Sequence, residues 1–185
     1  MKRKIGFFGG SFDPIHFGHL NLAIQMLEKG GLDQILFCPA LISPFKSDHR
    51  PVAPAQHRLA MIKLVLEPFF DVTSIELDRK GPSYTIDTLC ALNQENSEYR
   101  LILSDESAED FSRWKESEEL FRLAPPLVGS RTGGVNGHFQ TIQTPLFDVS
   151  STVIRQRLAT KKYCKHLVPS IVLDYIDKFG LYLKP

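Results

Sequence analysis

Apolar positions along the first two thirds of the chain follow two alternating rhythms. Short runs with few polar interruptions, Lys4–Phe8, Gln34–Pro39, Asp71–Leu77, Arg100–Ser104 and Pro126–Ser130, have the length of strands, and most are too unbroken for a sheet wet on one face. Between them the period becomes helical. Leu20, Ala23, Ile24 and Leu27 fall at i, i+3, i+4 and i+7 with Asn21, Gln25 and Glu28 opposite, and Gly30-Gly31 supply a stop. Leu59, Ile62 and Leu66 mark a second helix opened by Pro54; Ile86, Leu89 and Cys90 mark a third behind Pro82-Ser83. Strand, helix, strand, repeated, predicts parallel strands joined by right-handed crossovers, an α/β doubly wound sheet that binds its ligand at the carboxyl ends of the strands.

The second half is less regular. Gly129 to His138 (GSRTGGVNGH) reads as a loop; Ser150 or Ser151 can cap a helix through roughly Thr160. Pro169 opens another in which Val172, Tyr175, Ile176 and Phe179 share a face before Gly180. The expectation is one domain over residues 1–185 that ends in a short helical part at about 150–185.

Composition adds bounds. With 185 residues, 43% of them hydrophobic and 23% charged, the chain can bury one good core. A formal charge of +1 and a pI near 7.8 give no overall field toward nucleic acid or an acidic membrane surface. Lys2, Arg3 and Lys4 precede only a five-residue apolar stretch, shorter than a secretory core, and no run of eighteen apolar residues follows, so a cytoplasmic protein is expected. Cys38, Cys90 and Cys164 are odd in number and far apart, which argues against a disulfide framework or a thiolate zinc site; they are expected reduced and mostly buried.

Candidate chemistry gathers after the first strand. Gly9-Gly10-Ser11 can bring backbone N–H groups close to a phosphate, and the helix that begins near Gly18 offers a positive dipole end. His16 and His19 are three apart at that helix start, so both rings lie on one side, the side to which the N–H groups point. Asp13 before Pro14 can fix the turn. His16, His19 and Asp13 would also serve as three metal ligands, but no second His/Cys cluster accompanies them, and phosphate contact is the preferred reading.

These residues carry a resemblance. Gly9-Gly10-Ser11-Phe12-Asp13-Pro14 followed by His16-Phe17-Gly18-His19 resembles the signature of the nucleotidyltransferase superfamily, and Val149-Ser150-Ser151-Thr152-Val153-Ile154-Arg155 resembles its late Ile-Ser-Ser-Thr-x-Ile-Arg motif. Within the superfamily the likeness to bacterial nicotinate-nucleotide adenylyltransferases runs over nearly the whole chain, through Arg58 and Met61, Pro82-Ser83-Tyr84-Thr85-Ile86-Asp87-Thr88-Leu89 and Trp114. It implies a Rossmann-like sheet of the nucleotidyltransferase type and a reaction of ATP with nicotinate mononucleotide in NAD biosynthesis.

As that resemblance implies, His16, His19 and Arg155 are catalytic. Gly9, Gly10, Ser11, Phe12, Glu106, Ser150, Ser151 and Thr152 join them in holding ATP, with Mg²⁺ carried on its phosphates. Ser11, Lys46, Tyr84, Thr85 and Trp114 hold the mononucleotide. A pyridine ring bearing a carboxylate independently calls for an aromatic plane and N–H donors nearby; Trp114 and Tyr84 can equally be core residues. Ser104-Asp105-Glu106 departs from the family's Gly-x-Asp, and Phe45 replaces a histidine before Lys46. Rival readings are phosphopantetheine adenylyltransferase, which shares the first loop but neither the Ser-Tyr-Thr segment nor the tryptophan, and a catalytically weakened nucleotide-binding module; class I aminoacyl-tRNA synthetases are remote at this length. Oligomeric state is not fixed by the sequence, a homodimer being one option.

Overall fold

The computed structural model describes residues 2–44, 50–79, 81–92, 97–130, 139–145 and 148–183. Among them six strands form one parallel sheet: β1 (Arg3–Gly10), β2 (Gln34–Pro39), β3 (Phe70–Val72), β4 (Ser97–Ser104), β5 (Pro126–Ser130) and β6 (Gln140–Gln143). Their spatial order is β3-β2-β1-β4-β5-β6, every neighbouring pair parallel. The chain moves outward from β1 to β3, then returns to the other side of β1 at β4. The carboxyl ends of β1 and β4 therefore flank the switch point, where the helices on the two faces diverge and leave a crevice.

Side-chain alternation along the strands sorts the core into two layers. Phe8, Ile35, Phe37, Ile102, Leu127 and Ile142 point to one face, which is covered by α1 (Phe17–Gly30), α2 (Ala55–Lys63), α7 (Ser151–Ala159) and α8 (Ser170–Phe179). Ile5, Phe7, Cys38, Leu101, Leu103 and Val128 point to the other, beneath α4 (Thr85–Ala91), α5 (Asp105–Glu109) and α6 (Ser117–Leu123). Burial on both faces is why the strand runs are almost continuously apolar. α1 ends where the sequence stops it: Gly31 adopts the left-handed conformation (φ 63°), and its N–H reaches the Leu27 carbonyl.

The structure differs from the sequence reading at several boundaries. The run Asp71–Leu77 divides into β3 and a short helix, α3 (Ile75–Asp78), with Thr73 N–H bonded to the Phe37 carbonyl and Ser74 bonding Asp78. β1 and β4 are longer than their apolar runs because Arg3, Lys4, Ser97 and Glu98 continue the pairing with exposed or half-exposed side chains. α2 ends at Lys63, before Leu66, and buries Arg58 and Met61 beside Ile62. Gly129 and Ser130 belong to buried β5; residues 131–138 of the expected loop lie outside the described residues. Strand β6 and helices α5 and α6 carry no strong apolar rhythm and were not predicted. Cys90 is exposed, Phe179 is 46% exposed, and Cys38 and Cys164 are buried. Among the described residues no helix is long and apolar enough to cross a membrane.

Candidate active site

The loop after β1 stands on an aromatic floor. Phe12 turns the chain with a left-handed φ of 47° and buries its ring, edge-on to Phe8 at 5.4 Å and Phe37 at 5.5 Å. Its place in the site is thus through its backbone. The Gly10 carbonyl accepts from Ala40 N–H at 2.9 Å, which ties the loop to the end of β2. His19 meets Phe12 edge-on at 5.0 Å and stacks on His16, ring centres 3.7 Å apart at 23°.

His16 is the N-cap of α1, its backbone extended (φ −149°) and its Nδ1 accepting from His19 N–H at 3.4 Å. Acceptance at Nδ1 leaves the ring proton of the neutral form on Nε2. The ring is 4% exposed, and burial pushes its pKa down to about 4, so at neutral pH His16 is an uncharged donor. The amides at this helix end are largely engaged within the fold: Phe17 N–H bonds Leu167 O, and His19 and Leu20 N–H bond His16 O. What the end of α1 offers a ligand is therefore its dipole and its imidazoles more than bare amides.

The late motif abuts this loop. Ser150 caps α7 through Val153 N–H, and Ser151 Oγ donates to the Pro14 carbonyl at 3.1 Å. Arg155 donates from Nη1 to the Asp13 carbonyl at 2.8 Å and from Nη2 to Thr152 Oγ1 at 3.1 Å, and lies 3.6 Å from Asp13 Oδ2. Gly18 makes the approach possible: a Cβ there would come within 2.7 Å of Val149 and 3.0 Å of the His16 ring. Asp13 does more than fix a turn. Its buried carboxylate accepts from Val52 N–H, Ala53 N–H and the Tyr182 hydroxyl, joining the loop to two distant segments.

Across the crevice, Ser104 caps α5: its Oγ accepts from Ser107 N–H at 3.4 Å. The serine that departs from the family pattern thus turns its side chain into its own helix. Glu106 stands exposed in the first turn of α5. Trp114 is half-buried, tilted on Phe111 at 5.7 Å. Half-buried Tyr84 lies under Lys115 Nζ, 5.0 Å from the ring centre, and Lys115 pairs with Asp87 at 2.8 Å. Behind them Glu76, 3% exposed, accepts from Thr88 Oγ1 at 2.8 Å; burial raises its carboxyl pKa. Ser83 anchors the Ser-Tyr-Thr segment, accepting from Leu41 N–H and donating its own N–H to Ile42 O.

One open cleft of about 880 Å³ is lined by Gly9, Gly10, Ser11, Phe12, His16, His19, Tyr84, Thr85, Glu106, Trp114, Ser150, Ser151, Thr152 and Arg155. These are all of the site residues expected from sequence except Lys46, which with Phe45 lies outside the described residues. The cleft also takes in Asp13, which the sequence offered only as a turn residue or an alternative metal ligand, and Arg50, Glu76 and Lys115, to which sequence reasoning gave no ligand role. Lys115 was findable, being a cation next to the expected ring platform; buried Glu76 was not, since its sequence context, Ile75-Glu76-Leu77, reads as a strand.

A cytidylyltransferase-like family model matches residues 7–157. Nicotinate-nucleotide adenylyltransferase of Bacillus subtilis is 37% identical over 190 residues, covering 97% of this chain and 98% of that protein. A Roseiflexus protein named "Probable nicotinate-nucleotide adenylyltransferase" is 39% identical over 194 residues, covering 96% and 97%. The solved structure of Plasmodium falciparum nicotinic acid mononucleotide adenylyltransferase complexed with NaAD superposes with a TM-score of 0.82 over 99% of this chain and 98% of that one, at 19% identity, and so shares the fold. Motif order, cleft position and full-length identity agree that the chain belongs to the nicotinate-nucleotide adenylyltransferases, a nucleotidyltransferase family of the cytidylyltransferase-like type.

Proposed function

We propose that the cleft joins nicotinate mononucleotide to Mg-ATP, the mononucleotide phosphate attacking the α-phosphorus to form the dinucleotide and release pyrophosphate. The observation that carries this reading is the single cleft in which a stacked histidine pair and the α7 N-terminus stand at one side and Trp114 and Tyr84 at the other. It has one region of donors for a triphosphate and one aromatic plane for a pyridine ring.

No general base is required. A phosphate monoester loses its second proton near pH 6, so the nucleophile is already largely dianionic at neutral pH. The protein's task is to hold two anions in line and stabilise charge that develops on the transferred phosphoryl group. His19 and neutral His16 donate to the α-phosphate and bridging oxygens, where an uncharged Nε2–H at His16 strengthens as a donor when charge grows. Ser151, Thr152 and Arg155 take the β and γ phosphates, Gly9, Gly10 and Ser11 let the backbone approach, and Glu106 faces the adenosine ribose. Lys46 steers the mononucleotide phosphate; Trp114 and Thr85 hold the ring. Mg²⁺ would be carried by the triphosphate oxygens and keep most of its waters, with the cleft-lining Thr152 hydroxyl as a neutral oxygen neighbour. When bound it neutralises the leaving pyrophosphate.

Pyrophosphate release from Mg-ATP should be measured with nicotinate mononucleotide, nicotinamide mononucleotide and phosphopantetheine side by side. Turnover with the first is expected to exceed that with phosphopantetheine by at least about 100-fold, a gap of some 3 kcal/mol in transition-state binding. Equal turnover with phosphopantetheine, or tight ATP binding without turnover on any of the three, overturns the reading.

A further inference from the structure

The C-terminal end of the chain reaches the catalytic loop through one buried hydroxyl. Tyr182 is 5% exposed, with a left-handed φ of 61°, and its OH donates to Asp13 Oδ1 at 2.7 Å. Burial beside the Asp13 charge pushes the phenol pKa upward, so it remains a donor at any working pH. Asp13 shares its two oxygens among four partners. Oδ1 takes Tyr182 and Ala53 N–H; Oδ2 takes Val52 N–H at 2.7 Å and has Arg155 Nη1 at 3.6 Å. Arg58, 1% exposed, donates instead to the carbonyls of Ser11 and Ala53 and holds the same loop from behind.

The unequal distances matter. A guanidinium and a carboxylate free to meet close to about 2.8 Å and often bind through both oxygens. Here the carboxylate is already occupied by three shorter bonds, and the guanidinium is drawn aside by the Asp13 carbonyl and Thr152 Oγ1. Arg155 keeps 25% of its side-chain surface and lines the cleft.

We propose that Tyr182 and Asp13 are positioning residues for the transfer: the Tyr182 hydroxyl occupies Asp13 so that Arg155 stays presented to the triphosphate instead of closing onto the carboxylate. This rests on the assignment of Arg155 to the ATP phosphates. Removing the hydroxyl leaves the carboxylate one hydrogen bond short in a dry setting, and Arg155, already 3.6 Å from Oδ2 and partly exposed at the cleft, can close onto it. The carboxylate then captures the guanidinium, and ATP loses a ligand while the mononucleotide side of the cleft is untouched.

The test is Tyr182→Phe, which keeps the ring. Titration with Mg-ATP alone is expected to show Kd raised about 10-fold, equivalent to about 1.4 kcal/mol, with KM for nicotinate mononucleotide within about twofold of wild type. In an Arg155→Gln background the same substitution should leave ATP affinity unchanged. Unchanged ATP affinity in the single variant, an undiminished loss in the Arg155→Gln background, or equal rises in both KM values overturns the proposal. If Arg155→Gln alone leaves ATP affinity intact, the phosphate role of Arg155 fails and takes the proposal with it, a result distinct from the others. Should Tyr182→Phe be too unstable to titrate, the hydroxyl is deleted in an Asp13→Asn background, where no charge remains to capture Arg155; there ATP affinity should not respond, and a response refutes the idea.

Discussion

His16 makes the stability of this protein sensitive to mild acid in a calculable way. In the native state burial lowers its pKa from the ordinary 6.5 to about 4. Between those values the unfolded chain takes up a proton that the native ring refuses, so the contribution of His16 to stability is intact above pH 6.5 and is lost as pH falls toward 4. At about 1.4 kcal/mol per pH unit, the loss reaches about 2 kcal/mol by pH 5 and levels off near 3 kcal/mol below pH 4. That is a sizeable part of the 5–15 kcal/mol that typically holds a domain folded. Urea melts at a series of pH values, on the wild type and on His16→Asn, isolate the effect. Asparagine keeps an acceptor at the N-cap but does not titrate, and all other carboxylates and histidines are common to both chains. His19 is the exception, since it stacks on the substituted ring at 3.7 Å. Both chains therefore also carry His19→Gln in a parallel set. The wild-type advantage over His16→Asn should shrink by about 2 kcal/mol from pH 7 to pH 5. A difference that stays constant over that range would show that the ring titrates normally, and the burial that is argued to hold His16 uncharged would go with it.

Three further outcomes follow from the site. His19→Ala should lower kcat roughly 100-fold or more with the fold retained by circular dichroism, the scale of one transition-state donor removed; near-wild-type kinetics would take His19 out of the mechanism. Trp114→Ala should raise KM for nicotinate mononucleotide while leaving that for ATP nearly unchanged, whereas equal effects on both would assign the half-buried ring to packing on Phe111. Gly18→Ala inserts a methyl within 2.7 Å of Val149 and 3.0 Å of the His16 ring; separating α1 from the start of α7 should cost about 1–3 kcal/mol in denaturant melts and weaken ATP binding, and an unaffected ATP Kd would deny that the two motifs need close contact.

What was legible in the sequence had a short-range cause. The strands β1, β2 and β5 are buried on both faces, so their apolar runs speak for themselves, and Ser150, Pro169, Gly31 and Gly180 end or begin helices by local chemistry. The cleft residues were readable because their glycines, hydroxyls and imidazoles are concentrated in two motifs that converge in space. β6 escaped because Gln140, Thr141 and Gln143 are half or fully exposed on a sheet edge and only Ile142 is buried, too little to make a pattern. α5 and α6 escaped because acidic residues dominate their first turns and each buries a single apolar side chain.

The role of Asp13 was hidden for a different reason. Read locally, an aspartate before a proline needs only a turn to explain it. Its partners stand 39, 40 and 169 residues away in sequence, and no periodicity links them. The carboxylate is 4% exposed and sits between two guanidinium-bearing side chains, one buried behind the loop and one at the cleft. A buried charge of this kind persists only where its hydrogen bonds are complete. Completeness here requires a tyrosine contributed three residues from the end of the chain. The phosphate-handling loop and the turn at Tyr182 are therefore parts of one polar unit, and a substitution at either end is expected to reach the other through Asp13 before it reaches the hydrophobic core.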